Sequence, residues 1–102
     1  MDRQTIKKPL SKFVNKTIRA INPDRIILYG SFARGEASTW SDIDLAIIGP
    51  KKLDELDKIA DSINSEYCFD IRSYQKDQFE NISPLSVYSE IKREGITIYS
   101  KS

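Results

Sequence analysis

Two apolar runs separated by a polar loop constrain the fold of this 102-residue chain more than any other feature. The first run, residues 25–29, stops at Gly30-Ser31, and the second begins at the alternating sequence Asp42-Ile43-Asp44. Short β-branched apolar runs bounded by glycine and polar residues are typical of strands. We therefore expect strands over residues 25–29 and 42–48, joined closely enough in sequence to form an antiparallel pair.

Helical and strand patterns alternate along the rest of the chain. Apolar residues recur at helical spacing over residues 10–21 and 53–63, and Ser83-Pro84 predicts the start of a third helix. A helical turn is expected over residues 32–35 and a loop over 36–41. Residues 67–73 and 96–99 have strand patterns, and the latter is expected at a sheet edge. The prediction is an α/β (α+β) fold over residues 1–102: one domain with a small mixed sheet of about four strands and helices packed against it.

Composition excludes several kinds of chemistry. The absence of histidine rules out Ser-His-Asp and Cys-His catalysis and any His-ligated zinc site. The one cysteine, Cys68, permits neither an intrachain disulfide nor a cysteine cluster, and we expect it to be a buried thiol of a cytoplasmic protein. A net charge of +1 argues against strong nucleic-acid binding. The apolar runs fall far short of the roughly 20 residues that span a membrane, so no membrane association is expected.

Asp42 and Asp44 are the first candidates for a functional site. Residues two apart in a strand point to the same face, so these two carboxylates would repel each other on an otherwise apolar strand. A divalent cation removes this cost, and Mg²⁺ takes one or two carboxylates together with substrate phosphates. The alternative is a solvated edge strand that carries two surface acids.

Asp70 supplies a third carboxylate, within the predicted strand 67–73. A charge in mid-strand is costly unless it is paired or bound to a metal. If this strand neighbours the strand of Asp42 and Asp44, three carboxylates converge, enough for a two-metal site that acts on phosphorus. The alternative is a surface residue paired with Arg72 or with a lysine.

Gly30-Ser31 is the candidate phosphate-binding turn. A glycine that follows a buried strand lets the backbone approach a ligand, and the helical turn after it offers free N–H groups and the Ser31 hydroxyl. A plain strand-to-loop turn is the alternative. Arg34 could contact phosphate, or could pair with an acid such as Glu36 and fix the loop. Trp40 could stack on a base or cover the core.

The string GSFARGEASTWSDIDLAII, residues 30–48, resembles the nucleotidyltransferase superfamily related to DNA polymerase beta. The shared motif is Gly-Ser, ten residues, then Asp-x-Asp, and it is highly specific as a joint pattern. The chain is similar in particular to the minimal nucleotidyltransferase (MNT) branch, whose members are small proteins often encoded beside a HEPN-domain partner as a toxin–antitoxin pair. The resemblance covers essentially the whole chain and implies the polymerase beta-like fold.

The resemblance also implies roles for individual residues. Asp42 and Asp44 match the paired metal ligands, for two Mg²⁺ ions, and Asp70 matches the carboxylate that ligates the metal on the nucleophile side. Gly30 and Ser31 match the residues that hold the triphosphate of ATP.

MNT antitoxins transfer AMP from ATP to a tyrosine of the HEPN toxin and so silence its RNase activity. The resemblance therefore implies a Mg²⁺-dependent protein adenylyltransferase that acts as an antitoxin. Two alternatives stay open: an antitoxin that neutralises its partner by binding alone, and a transferase that acts on a small molecule or an RNA end. Few residues follow the last predicted strand, so we expect another chain to supply the acceptor-binding surface, in a hetero-oligomer or a homodimer.

Overall fold

The fold was obtained as a computed structural model, which describes residues 3–38, 40–63 and 65–101. The predicted loop 36–41 includes Thr39, which lies outside the described residues. A 3₁₀ turn at Arg3–Ile6 leads into the first helix. The elements that follow are α1 (Lys7–Ile21), β1 (Arg25–Tyr29), α2 (Gly30–Arg34), β2 (Ile43–Ile48), α3 (Leu53–Asp61), β3 (Phe69–Tyr74), α4 (Lys76–Glu80), α5 (Glu90–Glu94) and β4 (Ile96–Ser100).

The described strands form a mixed sheet in the order β3-β2-β1-β4. Strands β1 and β2 are antiparallel, as the sequence predicts. Strand β3 pairs in parallel with β2. The strand of Asp70 is thus the neighbour of the strand of Asp44, which is the arrangement that the sequence analysis required for their carboxylates to meet. Strand β4 pairs with β1 at the edge of the sheet, again as predicted.

Both faces of the sheet are covered by helices, and the two faces carry different side chains. The first face packs against α1 and α3 around a core that includes Phe13, Leu28, Leu45, Ile47 and Leu56. The second face packs against α4 and α5 through Ile27, Ala46, Ile48, Phe79 and Ile91. Strand β2 is therefore buried along its length, and Asp44 is its one residue that is not fully buried. The Asp44 carboxylate is therefore carried by the second residue of an otherwise apolar strand.

Helix α1 ends where the sequence predicts. Asn22 has a left-handed backbone, with φ of 49°, and its N–H donates to the carbonyl of Ile18. Asparagine tolerates this conformation, and Pro23 behind it cannot continue a helix. Among the described residues, no helix combines the length and the apolar character needed to cross a membrane.

The segment after β3 differs from the prediction. Residues 76–80, over which the sequence predicts no helix, form helix α4, at whose start the Gln78 side chain accepts from the Gln75 N–H at 3.1 Å. The helix expected to start after Ser83 begins later, as a 3₁₀ turn at Val87–Ser89 that leads into α5. Ser83 accepts instead from the N–H of Leu85 in a tight turn, and the serine that caps the 3₁₀ turn is Ser86.

Candidate active site

The centre of the candidate site is the pair formed by Asp44 and Asp70. The two residues are direct partners in the parallel register of β2 and β3, and their side chains are hydrogen-bonded to each other. Asp44 is also the register partner of Tyr29, the last residue of β1. Since register partners point to the same face of a sheet, all three side chains share the second face.

Asp44 carries a charge that its surroundings do not compensate. Burial, and after it the negative charges of Asp70 and Asp42, raise the pKa of Asp44 from 3.8 to about 6. A hydrogen bond with Asp70 and the charge of Glu90 contribute smaller parts of the same shift. The site therefore favours a positive charge, because each of these causes disfavours an ionised Asp44 that has no cation beside it.

Asp42 lies next to this pair without completing it. It precedes β2, is exposed to solvent, and is close enough for its charge to act on Asp44. Over the described ranges 3–38, 40–63 and 65–101, no group of three or more acidic or cysteine side chains is arranged to hold a metal ion. The structure thus brings Asp44 and Asp70 together, and leaves Asp42 at the margin.

The donor chemistry of the pair nevertheless fits Mg²⁺. Asp44 is partly buried and Asp70 is exposed, and the two carboxylates share a hydrogen bond in which two like charges are unfavourable without a cation. Mg²⁺ commonly takes one or two protein carboxylates and completes its octahedral shell with water and substrate phosphates. Asp44 and Asp70 therefore suffice as protein ligands of this kind.

Gly30 fixes the distance between the candidate phosphate turn and the carboxylates. Its φ is +74°, and a Cβ atom at this position would collide with Oδ2 of Asp44. Only a glycine both adopts this positive φ without strain and leaves the space beside Asp44 free. The chain can therefore make this turn because residue 30 has no side chain. Ser31 follows in the first turn of α2 and is partly exposed. The predicted turn 32–35 is therefore confirmed as a helix that begins two residues earlier.

Arg34, the last residue of α2, forms ion pairs with three carboxylates. Its Nε lies 3.3 Å from Glu36, and one terminal nitrogen lies 3.3 Å from Glu90 and 3.2 Å from Glu94. Of the two alternatives raised by the sequence, the pairing with Glu36 is present. The contacts with Glu90 and Glu94 add a connection between α2 and α5.

Sequence reasoning named Arg72 only as an alternative partner of Asp70 and missed its contacts with two tyrosines at the site. Arg72 follows Asp70 by two residues, on the same face of β3, and its guanidinium lies 4.1 Å from the ring centroid of Tyr88. Arg72 is also hydrogen-bonded to Tyr29. Burial, and secondarily the charges of Asp44 and Asp70, raise the pKa of Tyr29 to about 12, although Arg72 opposes the shift. Strand alternation would have placed Arg72 beside Asp70, but Tyr88 comes from a segment whose structure the sequence did not predict.

The expectation that Cys68 is buried is wrong, and of the two alternatives for Trp40 the structure excludes the one in which it covers the core. Cys68 is exposed, because it precedes β3 and takes part in the sheet through its carbonyl, which accepts from the Ile43 N–H at 2.8 Å. Trp40 is 90% exposed and so does not cover the core. An indole this exposed, two residues before Asp42, lies on the loop that leads into the candidate site.

Comparison with known sequences identifies one family. Residues 8–102 match the family model described as polymerase beta, nucleotidyltransferase. A curated protein of Methanocaldococcus jannaschii, named as a candidate protein adenylyltransferase, is 34% identical over an alignment of 74 residues, and the match covers 68% of this chain and 50% of that protein. The chain therefore spans about half the length of this relative.

Two solved structures share the fold. One is a toxin–antitoxin structure with AMP-PNP, which matches with a TM-score of 0.59 at 23% identity over 87% of this chain and 72% of that chain. The other is a candidate nucleotidyltransferase from Sulfolobus solfataricus, with a TM-score of 0.56 at 12% identity over 97% of this chain and 89% of that chain. At these identities the likeness concerns the fold, and it confirms the mixed sheet with packed helices predicted from the sequence.

Proposed function

The chain belongs to the polymerase beta nucleotidyltransferase family, and from this premise we propose that it transfers AMP from ATP to a hydroxyl group of a partner protein. The observation that carries the proposal is the Asp44–Asp70 pair, held on neighbouring strands and facing Gly30. The relative named as a protein adenylyltransferase supports protein as the acceptor class. The neighbour from a toxin–antitoxin structure supports a role as the antitoxin of a toxin partner.

Two Mg²⁺ ions are part of the proposal. Asp42 and Asp44 would hold both ions, and Asp70 would complete the shell of the ion on the nucleophile side. Bound there, the ions would stabilise the negative charge that develops on the attacking and leaving oxygens. The uncompensated charge around Asp44 supports this assignment, because binding of a cation removes the repulsion between the carboxylates.

The protein's own side chains would bind the triphosphate and accept a proton. Gly30 allows the backbone to approach the β- and γ-phosphates, and the Ser31 hydroxyl donates to them. Asp70 accepts the proton of the acceptor hydroxyl as its oxygen bonds to the α-phosphorus. The bond between the α-phosphorus and the bridging oxygen breaks, and pyrophosphate leaves with that electron pair.

The proposed acceptor is a tyrosine of a HEPN-domain toxin. This part rests on the resemblance of residues 30–48 to the MNT branch, with the toxin–antitoxin neighbour as support. An acceptor hydroxyl on another protein also agrees with the exposure of Asp70, the residue proposed to take its proton.

One observation favours a second candidate function, neutralisation of the partner by binding alone. Asp42 stands apart from the Asp44–Asp70 pair, so the described residues do not form a three-ligand metal site before substrate binds. A nucleotide site that stays incomplete would leave a protein that occludes its partner without modifying it.

Labelling with α-³²P-ATP distinguishes these functions. The protein is incubated with Mg²⁺, the labelled ATP and the protein encoded beside it, in parallel with an Asp42→Asn/Asp44→Asn variant. A matched control, Asp57→Asn/Asp61→Asn, removes two exposed acids of α3 instead. Label on the partner that survives in the control and disappears in the first variant supports adenylyl transfer. A stable complex without label supports binding alone, and label in an RNA or small-molecule fraction supports the third alternative.

A further inference from the structure

We propose that Arg34 is a positioning residue, which holds the phosphate-binding turn Gly30-Ser31 against helix α5, and that it is not itself a phosphate ligand. The inference rests on the proposed function, since it concerns how the same site is held in shape. It decides between the two alternatives raised for Arg34 by the sequence, direct contact with the triphosphate and pairing with an acid, and extends the second to residues of α5.

The first argument is electrostatic. Arg34 carries one positive charge, and Glu36, Glu90 and Glu94 carry three negative charges within 3.2–3.3 Å of it. The cluster therefore has a net negative charge, which repels a triphosphate at short range. A guanidinium that acts as a phosphate ligand offers its forked donors to the phosphate, whereas here these donors already face carboxylates.

The second argument concerns how α2 is held in place. A helix of five residues is not stable on its own, so its position depends on the contacts of its side chains. Phe32 anchors one side of it, fully buried in the core with its ring at 88° and 5.5 Å from that of Tyr67. Arg34 anchors the other side, where Glu90 and Glu94 belong to α5.

The third argument is the small tolerance of the site. Gly30 has no room to move toward Asp44, because even a Cβ atom would collide there. A displacement of about 1 Å in a reacting group costs about a hundredfold in rate. The ion pairs of Arg34, which fix the C-terminal end of α2, therefore affect the distance between the phosphate-binding turn and the carboxylates.

Binding of an ATP analogue with a non-cleavable α–β bridge, measured by calorimetry in Mg²⁺, separates the two roles. Arg34→Gln is expected to weaken binding about tenfold in either case. The double variant Glu90→Gln/Glu94→Gln decides between them. If Arg34 positions α2, loss of its partners weakens binding to a similar extent, although two negative charges have been removed. If Arg34 binds phosphate, the same variant leaves affinity unchanged or increases it, and the proposal is overturned.

A variant in which the charges of the Arg34–Glu94 ion pair are exchanged gives a second test between positioning and phosphate binding. Arg34→Glu combined with Glu94→Arg restores an ion pair between α2 and α5 but removes the cation from α2. Positioning predicts partial recovery of affinity relative to Arg34→Glu alone, and a phosphate ligand predicts none. Glu55→Gln is the matched control, since it breaks an exposed ion pair with Lys52 on α3 and should change nothing.

Amide hydrogen exchange tests the inference without nucleotide. The Glu36 N–H donates to the carbonyl of Ser31 at 2.9 Å and so reports on α2. Its exchange should accelerate in Arg34→Gln and in Glu90→Gln/Glu94→Gln, and unchanged exchange in both overturns the proposal. If the wild type binds no nucleotide and exchange still accelerates in the two variants, the result would contradict the proposed function and leave the positioning role of Arg34 intact.

Discussion

Gly30 lies directly against the carboxylate of Asp44. The glycine follows the last residue of β1 and begins α2 with a positive φ, and its missing side chain is what lets Oδ2 of Asp44 occupy the space beside it. The turn that would receive the triphosphate and the carboxylate that would hold the metal are thus in contact through one position. The thirteen residues between Gly30 and Asp44 in sequence thus have their two flanking positions in contact here.

Replacement of Gly30 by alanine should abolish the transfer activity. The added methyl group displaces Asp44 or the turn, and the positive φ adds about 1–2 kcal/mol of backbone strain. Gly35→Ala is the matched control, because Gly35 also has a positive φ, +75°, but among the described residues no atom lies within 4 Å of a Cβ placed there. The control should lose about 1 kcal/mol of stability and keep its activity. Equal activity losses in the two variants, measured as AMP transfer beside thermal unfolding, would contradict the steric role of Gly30.

Arg72 and Tyr29 should be coupled in stability. Arg72→Met removes a hydrogen-bond partner from the buried Tyr29 hydroxyl and the contact with Tyr88, at a cost of about 1–3 kcal/mol. Once Tyr29→Phe has removed that hydroxyl, the same substitution should cost less, because no buried donor or acceptor is then left without Arg72. Urea unfolding of the wild type, both single variants and the double variant gives the coupling energy. Additive losses would mean that the two side chains do not support each other.

The parts of the fold that follow strict rules could be predicted from the sequence. Strand β1 was predicted with its observed limits because residues 25–29 are apolar and end at a glycine. Asp44 and Asp70 were expected to meet if β3 lay beside β2, and they do, although Asp42 lies at the margin of the pair. Of the helix predicted after Ser83, residues Glu90–Glu94 form α5, which ends before Gly95 as expected. Helix α4 was not predicted, because it depends on a glutamine side chain as its cap. Short helices of this kind are fixed by tertiary contacts, such as that of Ile91 with the sheet, more than by local preference.

The same limit explains the errors within the site. The ion pairs of Arg34 with Glu90 and Glu94 join residues 56 and 60 positions apart, which no local pattern reveals. Of the two alternatives for Trp40, contact with the core was the one suggested by the usual burial of large aromatic residues, and it is excluded because the side chain is exposed.

The fluorescence emission of Trp40 should therefore respond to the binding of a partner and not to the folding of the chain. Trp40 is the one tryptophan of the chain, and at 90% exposure its emission in the folded protein should be close to that of the unfolded chain. Trp40→Phe should change the free energy of unfolding by no more than about 0.5 kcal/mol. Leu56→Ala, in the core, should cost about 2–5 kcal/mol and shows that the assay responds to real packing losses. Emission characteristic of a buried indole would contradict the position of this loop.

The last prediction concerns pH and Mg²⁺. Because burial and the neighbouring acids raise the pKa of Asp44 to about 6, the folded protein keeps this proton between about pH 4 and pH 6, where the unfolded chain has lost it. The folded state then binds more protons than the unfolded state, so the contribution of Asp44 to stability falls as pH rises through this window. Above pH 6 the loss is complete, and the ionised carboxylate remains beside Asp70 without a cation.

Mg²⁺ should reverse this loss, since the ion binds the ionised carboxylate and stabilises the folded state in proportion to its occupancy. Thermal unfolding between pH 4 and pH 8, with chelator or with Mg²⁺, is measured for the wild type, Asp44→Asn and Asp57→Asn. Other carboxylates titrate over the same range, so the informative quantity is the difference between variants. In chelator, Asp44→Asn should gain stability relative to the wild type as pH rises, and Asp57→Asn, which alters an exposed acid of α3, should not. Added Mg²⁺ should stabilise the wild type and the control above pH 6 and leave Asp44→Asn unchanged. A wild type that gains nothing from Mg²⁺ at pH 7 would mean that the two carboxylates do not bind the ion without substrate.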